Sequence, residues 1–79
     1  MVRANDLSNF TFQFAGYGHY KVTYKTPMRG DYWTALVTDM TAIDATKNAD
    51  WAKVEDIKRL MFLCKQGTHY RKNGEIIDY

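Results

Sequence analysis

The sequence predicts an α+β fold: a three-stranded antiparallel sheet packed against a C-terminal helix, with a short helix before it and a β-hairpin at the C-terminus. Three observations carry this expectation. Apolar and polar residues alternate with period two over residues 9–14, 19–25 and 32–38, as in half-buried strands. After residue 40 the spacing changes to three and four, the period of an amphipathic helix. Near the end stands Asn73-Gly74, the preferred pair for a two-residue type I′ hairpin turn. The chain has 79 residues, which allows one domain. Its hydrophobic content of 46% excludes a disordered chain. The expected division is a loose segment over residues 1–8, a single domain over 9–67 and a hairpin over 68–79.

Each element has its own justification. In the first strand Phe10, Phe12 and Phe14 share one face, and Asn9, Thr11 and Gln13 the other. Gly16-Tyr17-Gly18 marks a turn. In the second strand Tyr20, Val22 and Tyr24 oppose His19, Lys21, Thr23 and Lys25. A loop over residues 26–31 leads to the third, where Trp33, Ala35 and Val37 oppose Tyr32, Thr34, Leu36 and Thr38. Connections this short favour an antiparallel meander. The aromatic and aliphatic face of all three strands is expected to be core.

Residues 38–41 offer several N-caps, and Thr41-Ala42-Ile43-Asp44 has the shape of a capping box. A short helix is expected over 41–47, ended by Asn48. A longer one is expected from about Asp50, with acids early and Lys58, Arg59 and Lys65 late, as the helix dipole favours. Val54, Ile57, Leu60, Met61 and Cys64 form its apolar stripe, the first four completing the expected core, and Gly67 is its expected stop. A type I′ turn at Asn73-Gly74 would pair Lys72 with Glu75, Arg71 with Ile76, Tyr70 with Ile77 and His69 with Asp78.

Composition limits the function classes. Net charge is +2, spread evenly: five basic against four acidic residues over 1–49, six against five over 50–79. Neither half is a basic arm or an acidic tail. One cysteine, Cys64, excludes an internal disulfide and a cysteine-rich zinc site, and favours a reducing compartment. The N-terminus has no apolar stretch of signal-peptide type, and the run Leu60–Cys64 is far too short to span a bilayer, so a cytoplasmic protein without membrane contact is expected.

No motif names a reaction. His19 and His69 have no ligand spacing between them, so no metal site is expected. Cys64 lies on the apolar stripe, where a free thiol behaves as a small hydrophobe, although Lys65 and His69 stand nearby. Asp39 and Asp44 read as helix-end acids. Gly16 and Gly18 give GxG with no following helix, which fails as a nucleotide fingerprint. Arg29-Gly30-Asp31 is the adhesive tripeptide and Asn9-Phe10-Thr11 a glycosylation sequon. Both matter only outside the cell, and the tripeptide makes good sense as a turn. A non-enzymatic protein is therefore expected, with no cofactor.

Two surfaces remain as binding candidates. The outer sheet face carries Lys21, Lys25, Tyr32 and Thr34, with Arg29 in the adjoining loop. These groups suit phosphates, hydrogen bonds and base stacking, so nucleic acid is a candidate partner. On the long helix, Phe62, Leu63 and Arg59 lie beyond the apolar stripe. Surplus apolar surface of this kind needs a cover: the hairpin, a second copy of the chain, or a protein partner. The leading expectation is action through protein–protein contacts, and the alternative is nucleic-acid binding through the sheet face.

The segments from Gly18 to Tyr24, from Tyr32 to Ala35, Thr38-Asp39-Met40 and from Ile43 to Asn48 resemble small uncharacterised proteins of gut bacteria and their mobile elements. The resemblance covers roughly residues 17–66. It implies a bacterial cytosol and an accessory role for a phage or transferable element, and it brings no catalytic residue with it.

Overall fold

In a computed structural model that describes residues 7–77, strands β1 (Phe10–Gly16), β2 (His19–Lys25) and β3 (Tyr32–Val37) form the expected meander. Helix α1 (Met40–Lys47), a 3₁₀ turn (Trp51–Lys53) and helix α2 (Val54–Lys65) follow. A fourth strand, β4 (Thr68–Tyr70), then returns to the sheet. The fold is α+β. The sheet has four strands in the order β1-β2-β3-β4, each antiparallel to its neighbour.

The expectation of three strands and a separate hairpin is therefore corrected. Thr68, His69 and Tyr70 pair with Thr34, Trp33 and Tyr32. The chain after β4 turns back through one isolated bridge, Tyr70 with Ile76, not through a second strand. The register also differs from the type I′ expectation. Arg71 N–H donates to Glu75 O at 2.6 Å and Gly74 N–H to Arg71 O at 2.8 Å, so the loop holds three residues. A type I′ turn needs positive φ at both central residues. Here only Gly74 has it, and the Asn73 side chain instead accepts from the Glu75 N–H. The expected His69–Asp78 pair and Tyr79 lie outside the described residues, as do residues 1–6 of the expected loose segment.

The β1–β2 connection does take the I′ form. Tyr17 and Gly18 both have positive φ, and the register shifts between Phe14 and Gly16 to admit them.

Helix α1 begins two residues before the suggested capping box. Asp39 is the cap, and its carboxylate accepts from the Ala42 N–H at 3.1 Å. Asn48 is the C-cap, as expected. Helix α2 begins at Val54, not Asp50, because the Asp50 carboxylate caps the 3₁₀ turn instead. Its stop also has a different cause. A Cβ on Gly67 would lie 2.1 Å from Thr34 O, so the chain needs glycine to pass over the β3 backbone.

The core lies between the sheet and the helices. Ile43, Ile57, Leu60, Val22 and Cys64 are its largest fully buried side chains. Phe10, Tyr24 and Val37 are buried as expected, with Phe12, Tyr20, Trp33, Ala35 and Met61 packed around them. Ala42, Ile43 and Ala45 of α1 join them. Phe14 is corrected: it is 66% exposed, because α1 and α2 stop short of that end of β1. Val54 is only half-buried, at the first turn of α2. Lys47 lies over the Phe12 and Tyr20 rings and Lys65 over Tyr24 and Trp33, so two lysine stems cover the rim of the aromatic face.

Candidate functional site: the outer sheet face and the groove at the end of β3

The strand register builds the outer face row by row. Thr11, Thr23, Thr34 and Thr68 stand side by side across all four strands. The Thr23 and Thr34 hydroxyls are 3.2 Å apart. On one side of this row Lys25, Tyr32 and Tyr70 are aligned; on the other, Gln13, Lys21 and Leu36. The structure thus brings Lys21, Lys25, Tyr32 and Thr34 onto one face. None of the four strands contains an acidic residue. Tyr32 and Tyr70 stack at 5.0 Å between centroids, an aromatic pair the sequence reading missed because β4 was not recognised as part of this sheet.

Arg29 sits beside the face in the loop, 71% exposed, with its Nε 3.5 Å from Asp31. The Asp31 carboxylate is turned inward. It accepts from the Thr26 hydroxyl, and His69 Nε2 donates to it at 2.6 Å. The Thr26 hydrogen bond is the largest influence holding the Asp31 carboxyl below its ordinary value, joined by His69 and Arg29 and opposed by burial. The His69 ring is flat against Trp33, at 3.8 Å and 6°. Asp31 is 8% exposed and His69 7%. The tripeptide Arg29-Gly30-Asp31 is therefore a structural turn whose acid is not displayed.

At the other end of β3 lies a groove of about 890 Å³, between the strand and α2. It unites residues from both candidate surfaces: Lys21 and Thr34 from the sheet, Arg59 and Leu63 from the helix, with Leu36 and Thr68. Its geometry follows from where β4 ends. Lys25 N–H donates to Asn9 O, so Lys21, Thr23 and Lys25 turn their backbone groups toward β1. By alternation Tyr20, Val22 and Tyr24 face β3, and Tyr32, Thr34 and Leu36 turn theirs toward β4. β4 reaches only Thr34. The N–H and C=O of Leu36 therefore point into the groove, with no strand beside them among the described residues. The Leu36 side chain is 68% exposed.

Arg59, expected as a contact residue, is tied down. Its Nε is 2.5 Å from Asp39 and its Nη2 2.7 Å from Asp56. The Arg59 hydrogen bond holds the Asp39 carboxyl below its ordinary value, and Asp39 in turn raises the Arg59 guanidinium. Arg59 braces α1 against α2 and forms one wall of the groove. Leu63 is half-buried and packs on the core, while Phe62 is 61% exposed on the solvent side of α2.

Cys64 is fully buried, and its thiol lies within donor distance of the Val22 and Trp33 carbonyls, at 3.4 and 3.5 Å. Burial pushes the thiol up to about 11, so it packs as an apolar group. Among the described residues no three His, Cys, Asp or Glu side chains gather as a metal site. No helix among them is long and apolar enough to cross a membrane. No family model matches the chain, and neither a curated protein nor a solved structure is similar to it.

Proposed function

We propose that the protein is a non-enzymatic binding protein acting through protein–protein contacts, and that it takes an extended segment of its partner along the unpaired end of β3. One observation carries this reading: the Leu36 backbone faces a groove floored by the strand and walled by α2, and among the described residues no strand pairs with it. Strand addition to such an edge draws affinity from main-chain hydrogen bonds and specificity from side-chain contacts. Leu36 and Leu63 offer the apolar contact and Lys21 the charge. Photo-crosslinking residues placed at Leu36 and at Leu63, in cells producing the chain, test it. Discrete crosslinked products from both positions are expected. None is expected from Met28, which is 94% exposed on the loop between β2 and β3, away from both the groove and the β1 edge. Equal products from Met28, or none from Leu36 and Leu63, would refute the reading.

A second reading is favoured by the charge distribution. Lys21 and Lys25 stand on a face without strand acids, whereas Asp39, Asp44, Asp50, Glu55 and Asp56 all lie in the helical layer or its caps. That face suits a polyanion, with Tyr32 and Tyr70 available for stacking. Binding to single strands and duplexes across a salt titration tests it. Lys21→Ala with Lys25→Ala should lower the salt slope by up to about 2. Absence of binding at low salt removes it.

A further inference from the structure

The opposite edge of the sheet is β1. There Asn9, Thr11 and Gln13 face β2, so Phe10, Phe12 and Phe14 turn their backbone groups outward. Among the described residues nothing pairs with them. Natural edge strands are usually short, charged, proline-bearing or covered, since a bare edge templates another strand. β1 has seven residues, and from Asn9 to Gly16 it has no charge and no proline.

Beneath this edge is a hollow of about 570 Å³ between β1 and the end of α1, lined by Leu7, Phe10, Phe12, Thr46 and Trp51 among others. Among its described lining residues the charged one, Lys47, lies over the Phe12 and Tyr20 rings. A few residues along the same strand, Phe14 is 66% exposed, with neither α1 nor α2 over it.

We infer that β1 pairs with β1 of a second copy of this chain, joining two four-stranded sheets into one of eight strands. The strand is self-complementary in a single antiparallel register about Phe12. A two-fold axis there sets Phe12 against its own copy and Phe14 against Phe10, in each direction. Thr11 then faces Gln13 on the outer side. Rows match in kind: aromatic with aromatic beneath, uncharged polar with uncharged polar above, and no like charges meet. Directly opposed residues of a hydrogen-bonded antiparallel pair lie about 5.5 Å apart at Cα. Phe14 of each copy therefore arrives beside Phe10 of the other, at the mouth of the hollow. One exposed ring and one hollow per chain, exchanged by the two-fold axis, make an isologous contact. This interface lies at the far edge from the β3 groove, so its failure leaves the groove reading intact.

Sedimentation equilibrium over about 1 to 300 μM tests the pairing. The full chain is expected to be a monomer–dimer system. Phe14→Lys and Phe14→Glu should each weaken the dimer about 30-fold or more, with an unchanged circular dichroism spectrum, since this side chain is largely exposed in the monomer. Two opposite charges acting alike would show that burial, not electrostatics, is lost. A monomer at all concentrations would overturn the proposal, including one whose β1 edge is covered by the chain's own first residues. So would a dimer untouched by both substitutions. Should either variant misfold, amide exchange of the wild-type chain decides: Phe12 and Phe14 must slow as concentration rises while Leu36 does not, and equal rates at both edges would overturn the pairing.

Discussion

Gly67→Ala is the sharpest test of how α2 delivers β4 to the sheet. The added Cβ would fall 2.1 Å from Thr34 O, 2.7 Å from Ala35 Cβ and 2.9 Å from Thr34 C. These are backbone atoms and a Cβ, so none can rotate away. Restoring an ordinary C···O separation of about 3.3 Å requires a retreat of roughly 1 Å from β3. Gly67 adjoins Thr68, whose register with Thr34 begins β4, so the retreat loosens that pairing. Overpacking of this kind costs about 1–3 kcal/mol, while restricting the unfolded chain returns about 0.4–1 kcal/mol. With both partners rigid, the upper part of the range applies, a net loss near 2 kcal/mol. For a domain of this size that lowers Tm by about 8–16 °C. Thermal and urea melts followed by far-ultraviolet circular dichroism measure it, with Gln66→Ala as a neighbour control expected within about 0.5 kcal/mol of wild type. If Gly67→Ala melts with wild type, the close approach is absent and the account of β4 falls with it.

Three further outcomes follow from the buried and paired groups. Cys64 should be protected from thiol reagents in the native state: with its thiol near 11, the thiolate fraction at neutral pH is roughly 10⁻⁴. Labelling should therefore track unfolding in denaturant, and fast labelling of native protein would contradict its burial. Asp31 has a lowered folded-state pKa, so its stabilisation is complete above its ordinary 3.8 and is lost as pH falls through the lower folded value. Asp31→Asn should flatten that acid limb of the stability curve; an unchanged limb would mean the Thr26 and His69 contacts do not favour the carboxylate. Asp39→Ala should cost about 0.5–2 kcal/mol through the lost helix cap, and Asp39→Asn, which keeps a capping oxygen, clearly less. Equal losses would assign the stability to the Arg59 ion pair instead of the cap.

The three long strands were legible because each sets aromatic or aliphatic residues against threonine, lysine and glutamine, and that contrast survives in sequence. It tells which way Phe14 points but not how far the helices extend above it, so the ring was assigned to a core that ends before reaching it. β4 was illegible for two reasons. Three residues are too few to show a period, and their partner strand lies more than thirty residues earlier. The Asn73-Gly74 signal drew those residues into a hairpin, although Asn73 itself does not take up positive φ. The outer face was readable from alternation alone. The β3 groove was not, since it exists only because β4 stops opposite Thr34. Arg59 stood out as a solvent-facing cation. Nothing local to α2 signalled that Asp39, twenty residues upstream, would hold it.

The two sheet edges are finished differently, and that difference links the binding surfaces. Beyond β4 the chain turns back through Arg71 and Lys72, so charged residues follow the three-residue strand that covers part of β3. Among the described residues β1 has no such protection along its seven residues. Pairing through β1 would leave both β3 grooves at the outer ends of the joined sheet and would set the threonine row of one copy against the Gln13, Lys21 and Leu36 row of the other, so neither candidate surface is consumed by the dimer. Groove occupancy and dimerisation should then be separable. Phe14→Lys should yield a folded monomer that still forms the crosslinks from Leu36 and Leu63. Loss of those crosslinks in the monomer would mean that the partner reads the paired assembly and not the β3 edge of one chain.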